Sequence, residues 1–316
     1  MTRADEDPPG RPLPVRPEMA AARRLVAAPI ITRFAPSPTG LLHLGHVVNA
    51  IYVWGLARAL GGQVLIRIED HDRIRSRPVF DAALIEDIRW LGFAGIETGA
   101  APPPPIVRQS ERDALYQDAL ARLRRVAHVY ACECSRAHYS GERYPGHCRS
   151  RGLAETPGRS LRVQIEPGVE TAVDLAAGTL QQDPARQAGD LLLRDRDGHW
   201  TYQFAVTVDD LRQDVNLVVR GADLVSSTGR QVRLGRLLRA AGVGDRSWPP
   251  HYLHHPLILD QNGRKLSKST GATGVRALRD AGVPPARVIG RAAAASGLVD
   301  EQIASDAEAV ERLFER

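Results

Sequence analysis

Lysine is almost absent from this sequence of 316 residues, because only Lys265 and Lys268 occur among its 42 basic residues. Long apolar runs are also missing, which excludes a membrane span of ~18 residues, and the polar, proline-rich start excludes a secretory signal. The three cysteines, Cys132, Cys134 and Cys148, are odd in number and close together, which argues against a disulfide framework and favours reduced thiols. We therefore expect a cytoplasmic protein with no membrane partner.

The composition is that of a globular protein whose length predicts about two domains. With 43% hydrophobic residues, the chain can bury a sizeable core. Its formal charge of +5 favours an acidic partner such as RNA, although this excess is small beside 42 cations and 37 anions. We find no internal repeat.

A strand, a glycine-bearing loop, a helix and a second strand follow one another near the start. They are predicted over Ile30–Phe34, Ala35–Gly40, Leu44–Leu60 and Gln63–Ile68. Such a βαβ unit belongs to a parallel sheet that binds ligands at the carboxyl ends of its strands, where Arg33 and Glu69 lie. The sequence thus predicts an α/β fold with a doubly wound parallel nucleotide-binding sheet.

The rest of the pattern divides the chain into five parts. Further elements are predicted as helices over Val79–Leu91, Glu111–Ala127 and Ser226–Ala241, α/β segments at Leu191–Leu193, Tyr202–Val208 and Val215–Val219, and a strand over His255–Asp260. The expected parts are a disordered arm (1–28), the first half of the sheet domain (29–128), a zinc-bearing insertion rich in Gly, Pro and Arg (129–185), the second half (186–262), and a lysine loop with a short helical C-terminal region (263–316).

The loop after the first strand and the helix start behind it favour an anion-binding site. Arg33 opens the loop that ends at Gly40, and His43, Gly45 and His46 stand at the predicted helix start. Exposed backbone N–H groups and the helix dipole attract phosphate there, and Gly45 would let a ligand ring approach the backbone closely. On the residues alone, two histidines at such a place are more often a cap and a packed side chain.

The lysine pair in Lys265-Leu-Ser-Lys-Ser269 has two interpretations. Lysine supplies a compact, mobile point charge with three donors, whereas the guanidinium of arginine is a rigid planar fork. A loop that follows a triphosphate while its charge redistributes would use the first kind of cation. The alternative is a solvated turn, in which any charge is tolerated.

The cysteine cluster is typical of a structural zinc site. Its three soft ligands suit Zn²⁺, and three unrelated buried thiols are the alternative. Ligand chemistry favours His147 or His138 as the fourth ligand, because a tyrosine with a pKa of about 10 must lose its proton to bind. A site with four protein ligands would hold the insertion together and leave no open position for catalysis.

Seven groups of residues occur in the order seen in class I glutamyl-type aminoacyl-tRNA synthetases. They are Arg33-Phe-Ala-Pro-Ser-Pro-Thr-Gly40, His43-Leu-Gly-His46, Ile68-Glu-Asp70, Tyr202-Gln-Phe-Ala-Val-Thr-Val-Asp-Asp210, Arg220-Gly-Ala-Asp223, Ser227-Thr-Gly-Arg-Gln231 and Lys265-Leu-Ser-Lys-Ser269. The chain most resembles the glutamyl-queuosine tRNA(Asp) synthetase family, truncated paralogues of glutamyl-tRNA synthetase. The resemblance implies that L-glutamate is activated with ATP and Mg²⁺ and attached to the queuosine base in the anticodon of tRNA(Asp).

The same resemblance implies a role for each matching residue. For ATP it implies His43, Gly45, His46, Lys265 and Lys268, with His43, His46 and Lys268 as the catalytic residues. For L-glutamate it implies Arg33, Phe34, Ala35, Pro36, Ser37, Glu69, Tyr202 and Arg220. For one structural Zn²⁺ it implies Cys132, Cys134, Cys148 and, in place of His147, Tyr144.

The chemistry of glutamate agrees with these assignments. Its two carboxylates call for fixed cations, which Arg33 and Arg220 can supply as forks, and its ammonium calls for an anion such as Glu69. The hydroxyl of Tyr202 adds a donor. Without the motifs around them, either arginine would more often be half of a structural ion pair.

Three other functions compete with this interpretation. Only 47 residues follow Ser269, which are too few for the anticodon-binding region of a complete glutamyl-tRNA synthetase and therefore favour the truncated family. We expect the protein to be a monomer. The first alternative is a minimal glutamyl-tRNA synthetase that charges the 3′ end of tRNA(Glu). The second is a non-catalytic RNA-binding zinc protein, and the third is a small-molecule adenylyltransferase, which would leave the glutamate residues unexplained.

Overall fold

The computed structural model describes residues 15–71, 76–93, 106–135, 138, 143–245, 247–258, 274–299 and 304–315. Its first element is the helix α1 (Met19–Leu25), in the segment that we predicted to be a disordered arm. This part of the prediction is wrong for residues 15–28, because tertiary contacts order them. Ala22 and Val26 are buried, and the hydroxyl of Tyr52 donates a hydrogen bond to the carbonyl of Val15 at 3.0 Å.

The predicted βαβ unit is confirmed. It consists of the strand β1 (Ile31–Phe34), the helix α2 (Leu44–Ala59) and the strand β2 (Gln63–Ile68), with Ile31 paired to Gln63 in parallel register. Helix α2 is apolar around most of its circumference and lies inside the largest hydrophobic core, which explains its weak amphipathic pattern. The glycine pair after Leu60 ends the helix, with Gly61 at a φ of 66°.

The first half of the sheet ends with a third parallel strand. Helix α3 (Pro78–Trp90) precedes the short strand β3 (Val107–Arg108), which pairs with β2, and helix α4 (Asp113–Leu123) follows. A 3-10 turn over Gln109–Glu111 occupies the predicted start of α4. Asp70 caps this turn, because its carboxylate accepts hydrogen bonds from the backbone N–H of Ser110 at 2.8 Å and from its hydroxyl at 2.6 Å.

The next segment contributes to two different sheets. Its elements are the strands β4 (Val129–Cys132), β5 (Ser160–Val163), β6 (Glu170–Asp174) and β7 (Gly178–Gln182), the helix α5 (Pro184–Gln187) and the strand β8 (Leu191–Arg194). Strands β4, β5 and β8 form an antiparallel sheet. The β6–β7 hairpin instead belongs to a four-stranded sheet whose other two strands come later in the chain. Sheet membership therefore does not follow the expected boundary at 185, and Leu191–Leu193 is not part of the parallel sheet.

The second half supplies two parallel strands and two helices. They are the helix α6 (Tyr202–Arg212), the strand β9 (Leu217–Gly221), the helix α7 (Thr228–Ala240) and the strand β10 (His251–His255). Strand β10 shares only His255 with the predicted span of residues 255–260. Proline lacks the N–H that a central strand needs, so the strand stops at Pro256, and residues 259–260 lie outside the described part of the chain.

The order of strands reverses beside β1. Strand β9 lies next to β1, where the backbone N–H of Asn216 donates to the carbonyl of Ile31 at 3.0 Å, and β10 pairs in parallel with both β9 and β6. The three-stranded sheet β1–β2–β3 and the four-stranded sheet β7–β6–β10–β9 are each parallel, except that the edge strand β7 is antiparallel to β6. The carboxyl ends of β1 and β9 meet at this switch point, where α/β sheets bind their ligands.

Short helices follow residues 259–273, a range that contains the lysine loop and lies outside the described residues. Helix α8 (Val275–Asp280) begins where the N–H of Val275 donates to the carbonyl of Leu42 at 2.9 Å. Helix α9 (Pro285–Ala295) and a 3-10 turn over Val310–Leu313 pack against α2. Within the described ranges, no helix has the length and apolarity needed to cross a lipid bilayer.

Candidate active site and candidate metal centre

A cavity of about 420 Å³ opens at the switch point between β1 and β9. The structure brings together here ten of the predicted site residues, namely Arg33, Ala35, Pro36, Ser37, His43, Gly45, His46, Glu69, Tyr202 and Arg220. Lys265 and Lys268 lie outside the described residues, so their predicted contact with ATP stays a prediction.

Phe34 is the exception among the predicted glutamate contacts. Its side chain is buried in the core rather than in the cavity wall, and its ring centroid lies 5.2 Å from that of Trp54 on α2. Successive side chains of a strand point to opposite faces, so Arg33 and Phe34 cannot both face the ligand. The Phe34 side chain therefore does not line the cavity, and the predicted contact of this residue with glutamate stays a prediction for its backbone.

His43 and His46 form a reciprocal cap at the start of α2. The Nδ1 atom of His43 accepts a hydrogen bond from the N–H of Gly45, and the Nδ1 atom of His46 accepts one from the N–H of His43, both at 3.1 Å. A neutral ring that accepts at Nδ1 carries its proton on Nε2. The two imidazoles thus cap the helix, as the alternative interpretation holds, and also line the cavity with donor nitrogens of fixed tautomer.

Gly45 makes room for the ring of His43, while the close ligand approach that we predicted for it stays a prediction. A Cβ atom at this position would lie 2.9 Å from Cε1 of His43, so the absent side chain makes room for this imidazole. A larger residue would push the His43 ring out of its capping position. The absence of a side chain at residue 45 therefore supports the position of the His43 ring at the cavity.

Arg33 lines the cavity and is also half of a buried ion pair, as the alternative interpretation holds. Its Nε atom donates to Asp210 Oδ1 at 3.1 Å, and its Nη1 atom donates to the carbonyl of Val219 on β9 at 3.3 Å. Asp210 also accepts from Arg67 Nη1 at 2.8 Å. Burial alone would raise the pKa of Asp210, but the two guanidinium groups hold it below its usual range.

Glu69 and Tyr202 lie in the cavity wall as a carboxylate and a neutral phenol. Burial raises the pKa of Glu69, while Arg67 Nη2, at 3.5 Å from Oε1, favours the ionised carboxylate. Burial also raises the pKa of Tyr202, so its hydroxyl keeps its proton near neutral pH. The two side chains offer one anionic acceptor and one donor to a ligand.

Arg220 is buried, and its side-chain nitrogens form hydrogen bonds with uncharged groups. Its Nη1 atom donates to Gln231 Oε1 at 2.5 Å, its Nη2 atom donates to Thr228 Oγ1 at 2.8 Å, and its Nε atom lies 3.1 Å from His254 Nε2. In the part of the chain that the structure describes, no carboxylate forms an ion pair with Arg220, in contrast to Arg33. A buried cation with neutral neighbours favours an anionic ligand.

The sequence motifs contained a signal for these supporting residues. Asp210 ends the motif that starts at Tyr202, and Thr228 and Gln231 belong to the motif of α7, so both sets could be found as parts of ordered motifs. Arg67 and His254 lie outside the motifs. Their roles depend on contacts between distant strands, which no local pattern reports.

The three cysteines meet beside the antiparallel sheet. The Sγ atoms of Cys132, Cys134 and Cys148 lie within 4.8 Å of one another, and those of Cys134 and Cys148 are 3.5 Å apart. Ligands at 2.3 Å around a tetrahedral Zn²⁺ would be roughly 3.8 Å apart, which fits this spacing. Burial raises the pKa of Cys134 to about 11. Burial also acts to raise the pKa of Cys148, but hydrogen bonds, the largest of them with the backbone of Glu133, outweigh it and lower this pKa to about 7.

Tyr144 is the candidate fourth ligand that lies at the cluster. Its hydroxyl oxygen is 3.3 Å from Cys132 Sγ, and its ring lies under the guanidinium of Arg162 at 3.8 Å from the centroid. His147 is exposed, and no imidazole of the described residues joins the three thiols within 4.8 Å. The geometry thus favours Tyr144 over the histidine that ligand chemistry preferred.

The sequence of this chain matches a family of known enzymes. Residues 29–305 match the family described as tRNA synthetases class I (E and Q), catalytic domain. The chain belongs to this family. The match includes every element from β1 to α9, and it confirms the resemblance stated from the motifs.

Two similar bacterial proteins are both named Glutamyl-Q tRNA(Asp) synthetase. The Glutamyl-Q tRNA(Asp) synthetase of Xanthomonas axonopodis pv. citri is 44% identical over 82% of this chain and 80% of its own length. That of Symbiobacterium thermophilum is 40% identical over 85% of this chain and 87% of its own.

A solved structure shows the same fold in a longer synthetase. The glutamate tRNA ligase from Elizabethkingia meningosepticum, crystallised with its amino acid, superposes with a TM-score of 0.70 at 26% identity. The match covers 89% of this chain but 64% of that ligase.

Proposed function

We propose that this synthetase activates L-glutamate with ATP and transfers the glutamyl group to the queuosine base in the anticodon of tRNA(Asp). One observation carries the proposal: a single cavity holds two buried guanidinium groups, from Arg33 and Arg220, and the carboxylate of Glu69. These groups complement the two carboxylates and the ammonium of glutamate. The names of the relatives supply the acceptor RNA.

Activation joins the α-carboxylate of glutamate to ATP. A carboxylate oxygen attacks the α-phosphorus, the bond to the bridging oxygen breaks, and pyrophosphate leaves with the electron pair. Class I synthetases use ATP with Mg²⁺, which neutralises phosphate charge. His43 and His46 offer Nε2–H donors at the start of α2, and Lys268 would stabilise the charge that develops on pyrophosphate.

Transfer uses the bond that activation creates. A hydroxyl of the queuosine base attacks the carbonyl carbon of glutamyl-adenylate and loses its proton, and AMP leaves as the anion. Arg220 holds the distal carboxylate and Glu69 the ammonium throughout, so the carbonyl is fixed relative to the entering hydroxyl. No side chain forms a covalent intermediate in this scheme.

The proposal includes one structural Zn²⁺ held by Cys132, Cys134, Cys148 and Tyr144. The ion would tie the loop after β4 to the segment around Cys148, and four protein ligands would leave no open position for chemistry. The protein would act as a monomer in the cytoplasm.

Labelled glutamate tests the function on two RNAs that differ in one base. With ATP present, we expect label to enter tRNA(Asp) that contains queuosine and not tRNA(Asp) that lacks it. Equal labelling of both would refute the proposal. Efficient charging of tRNA(Glu) would favour a minimal glutamyl-tRNA synthetase instead, and the absence of glutamate-dependent pyrophosphate exchange would favour a non-catalytic protein.

A further inference from the structure

A relay of three side chains leads from β6 to the cavity. The Oδ2 atom of Asp174 lies 2.7 Å from Nδ1 of His254, and Nε2 of His254 lies 3.1 Å from Nε of Arg220. All three residues are buried. They stand on three adjacent strands, because β10 carries His254 between β6 and β9.

The hydrogens of this relay can be arranged in one way only. The Nε–H of Arg220 must donate, so Nε2 of His254 must accept and carry no proton. The neutral ring then has its proton on Nδ1 and donates it to the carboxylate of Asp174. Asp174 is fixed in turn, since its Oδ1 accepts from the N–H of Ala176 at 2.9 Å and of Ala177 at 2.8 Å.

The relay fixes the plane of the Arg220 guanidinium. Gln231 and Thr228 on α7 accept hydrogen bonds from the two terminal nitrogens, and His254 accepts one from Nε beside Thr228, whose Oγ1 lies 3.3 Å from Nε2 of His254. A guanidinium held at all three nitrogens has a fixed plane and keeps one N–H bond on each terminal nitrogen, and a planar carboxylate can accept two hydrogen bonds in such a plane. Without His254, rotation about the side chain would misalign this pair.

We propose that His254, oriented by Asp174, is a positioning residue that sets Arg220 for the distal carboxylate of the amino-acid substrate. The inference rests on the proposed function, since it assumes that Arg220 binds this carboxylate. It adds a residue outside the motifs to the determinants of glutamate specificity.

Protonation of His254 should break the relay. A second proton at Nε2 would face the Nε–H of Arg220, and burial together with this cation lowers the pKa of His254, although Asp174 opposes the effect. The charged groups that face it from the packed strands are Asp174 on β6, Arg220 on β9 and Arg33 on β1; α7 contributes the uncharged Thr228. Because the pKa of His254 is lowered, its protonation should weaken glutamate binding only at a pH below the usual histidine pKa of about 6.5.

The test compares His254→Leu with His254→Gln, whose amide oxygen can replace the acceptor. Calorimetry at pH 7.5 should show the Kd for L-glutamate raised about 10- to 100-fold in His254→Leu, as expected for one lost hydrogen bond to a charged group. The Kd for L-2-aminopentanoate, which lacks the distal carboxylate, should stay unchanged, and His254→Gln should recover most of the affinity. His251→Leu makes the same change at the other end of β10, away from Arg220, and should bind glutamate as the wild type does.

Three results would overturn the inference. They are an unchanged glutamate Kd in His254→Leu, an equal loss for both amino acids, and no recovery in His254→Gln. Should His254→Leu not fold, the wild type and His254→Gln give the answer through their pH profiles, because the weakening at low pH should be smaller in His254→Gln. A wild type that binds no glutamate would instead refute the proposed function.

Discussion

Replacement of Asp210 by asparagine isolates the buried charge network behind the amino-acid cavity. Asp210 accepts hydrogen bonds from Arg33 at 3.1 Å and Arg67 at 2.8 Å, and Arg67 has no exposed surface. Breaking a buried ion pair by removing one partner costs about 3–5 kcal/mol. Since Glu69 and Asp209 still face Arg67 at 3.5 and 3.8 Å, we expect the lower end, about 3 kcal/mol of unfolding free energy.

Urea denaturation and pyrophosphate exchange measure the two consequences of Asp210→Asn. Besides the loss of stability, the KM for glutamate should rise about 10-fold or more, because Arg33 loses the charged partner that orients it. Asp118→Asn is the matched control, since Asp118 pairs with Arg122 and Arg212 at the surface and its loss should cost less than about 1 kcal/mol. Equal stability of the two variants with an unchanged KM would refute the reasoning.

Three further variants probe other parts of the site. Arg220→Lys keeps the charge but loses the fork, so the KM for glutamate should rise about 10- to 100-fold in pyrophosphate exchange while the KM for ATP changes little. Cys148→Ala should lower the zinc content measured by elemental analysis from one ion per chain to below one half, and should lower the melting temperature. Lys268→Arg keeps the charge of the lysine loop, so a large loss of adenylate formation would show that the compact ammonium is needed, whereas full activity would show that any cation suffices.

Local patterns were enough to predict the first βαβ unit. Gly61 and Gly62 interrupt an apolar helix, and β-branched residues form the strands on either side, so each boundary has a cause within a few residues. Helix α1 could not be found in this way, because it has seven residues and depends on contacts with α2. Strand β10 was misplaced because the apolar run after Pro256 looks more like a strand than the histidine-rich segment that forms it.

The residues of the candidate site also fall into a group that local patterns predicted and a group that they did not. Residues that stand at strand ends or a helix start, such as Arg33, Glu69 and His43, were predicted and do line the cavity. Arg67 and His254, which contact site residues from other strands, were not predicted, because the spacing of residues along the chain does not show which strands are neighbours. For the fourth zinc ligand, general ligand chemistry favours a histidine, but in the structure the buried Tyr144 lies beside Cys132.

The position of the glutamyl group within the RNA tests the central claim most directly. Queuosine-containing tRNA(Asp) would be labelled with radioactive glutamate and cleaved into an anticodon fragment and a 3′-terminal fragment. The proposed transfer predicts that the label stays with the anticodon fragment. Label on the 3′-terminal adenosine would contradict it.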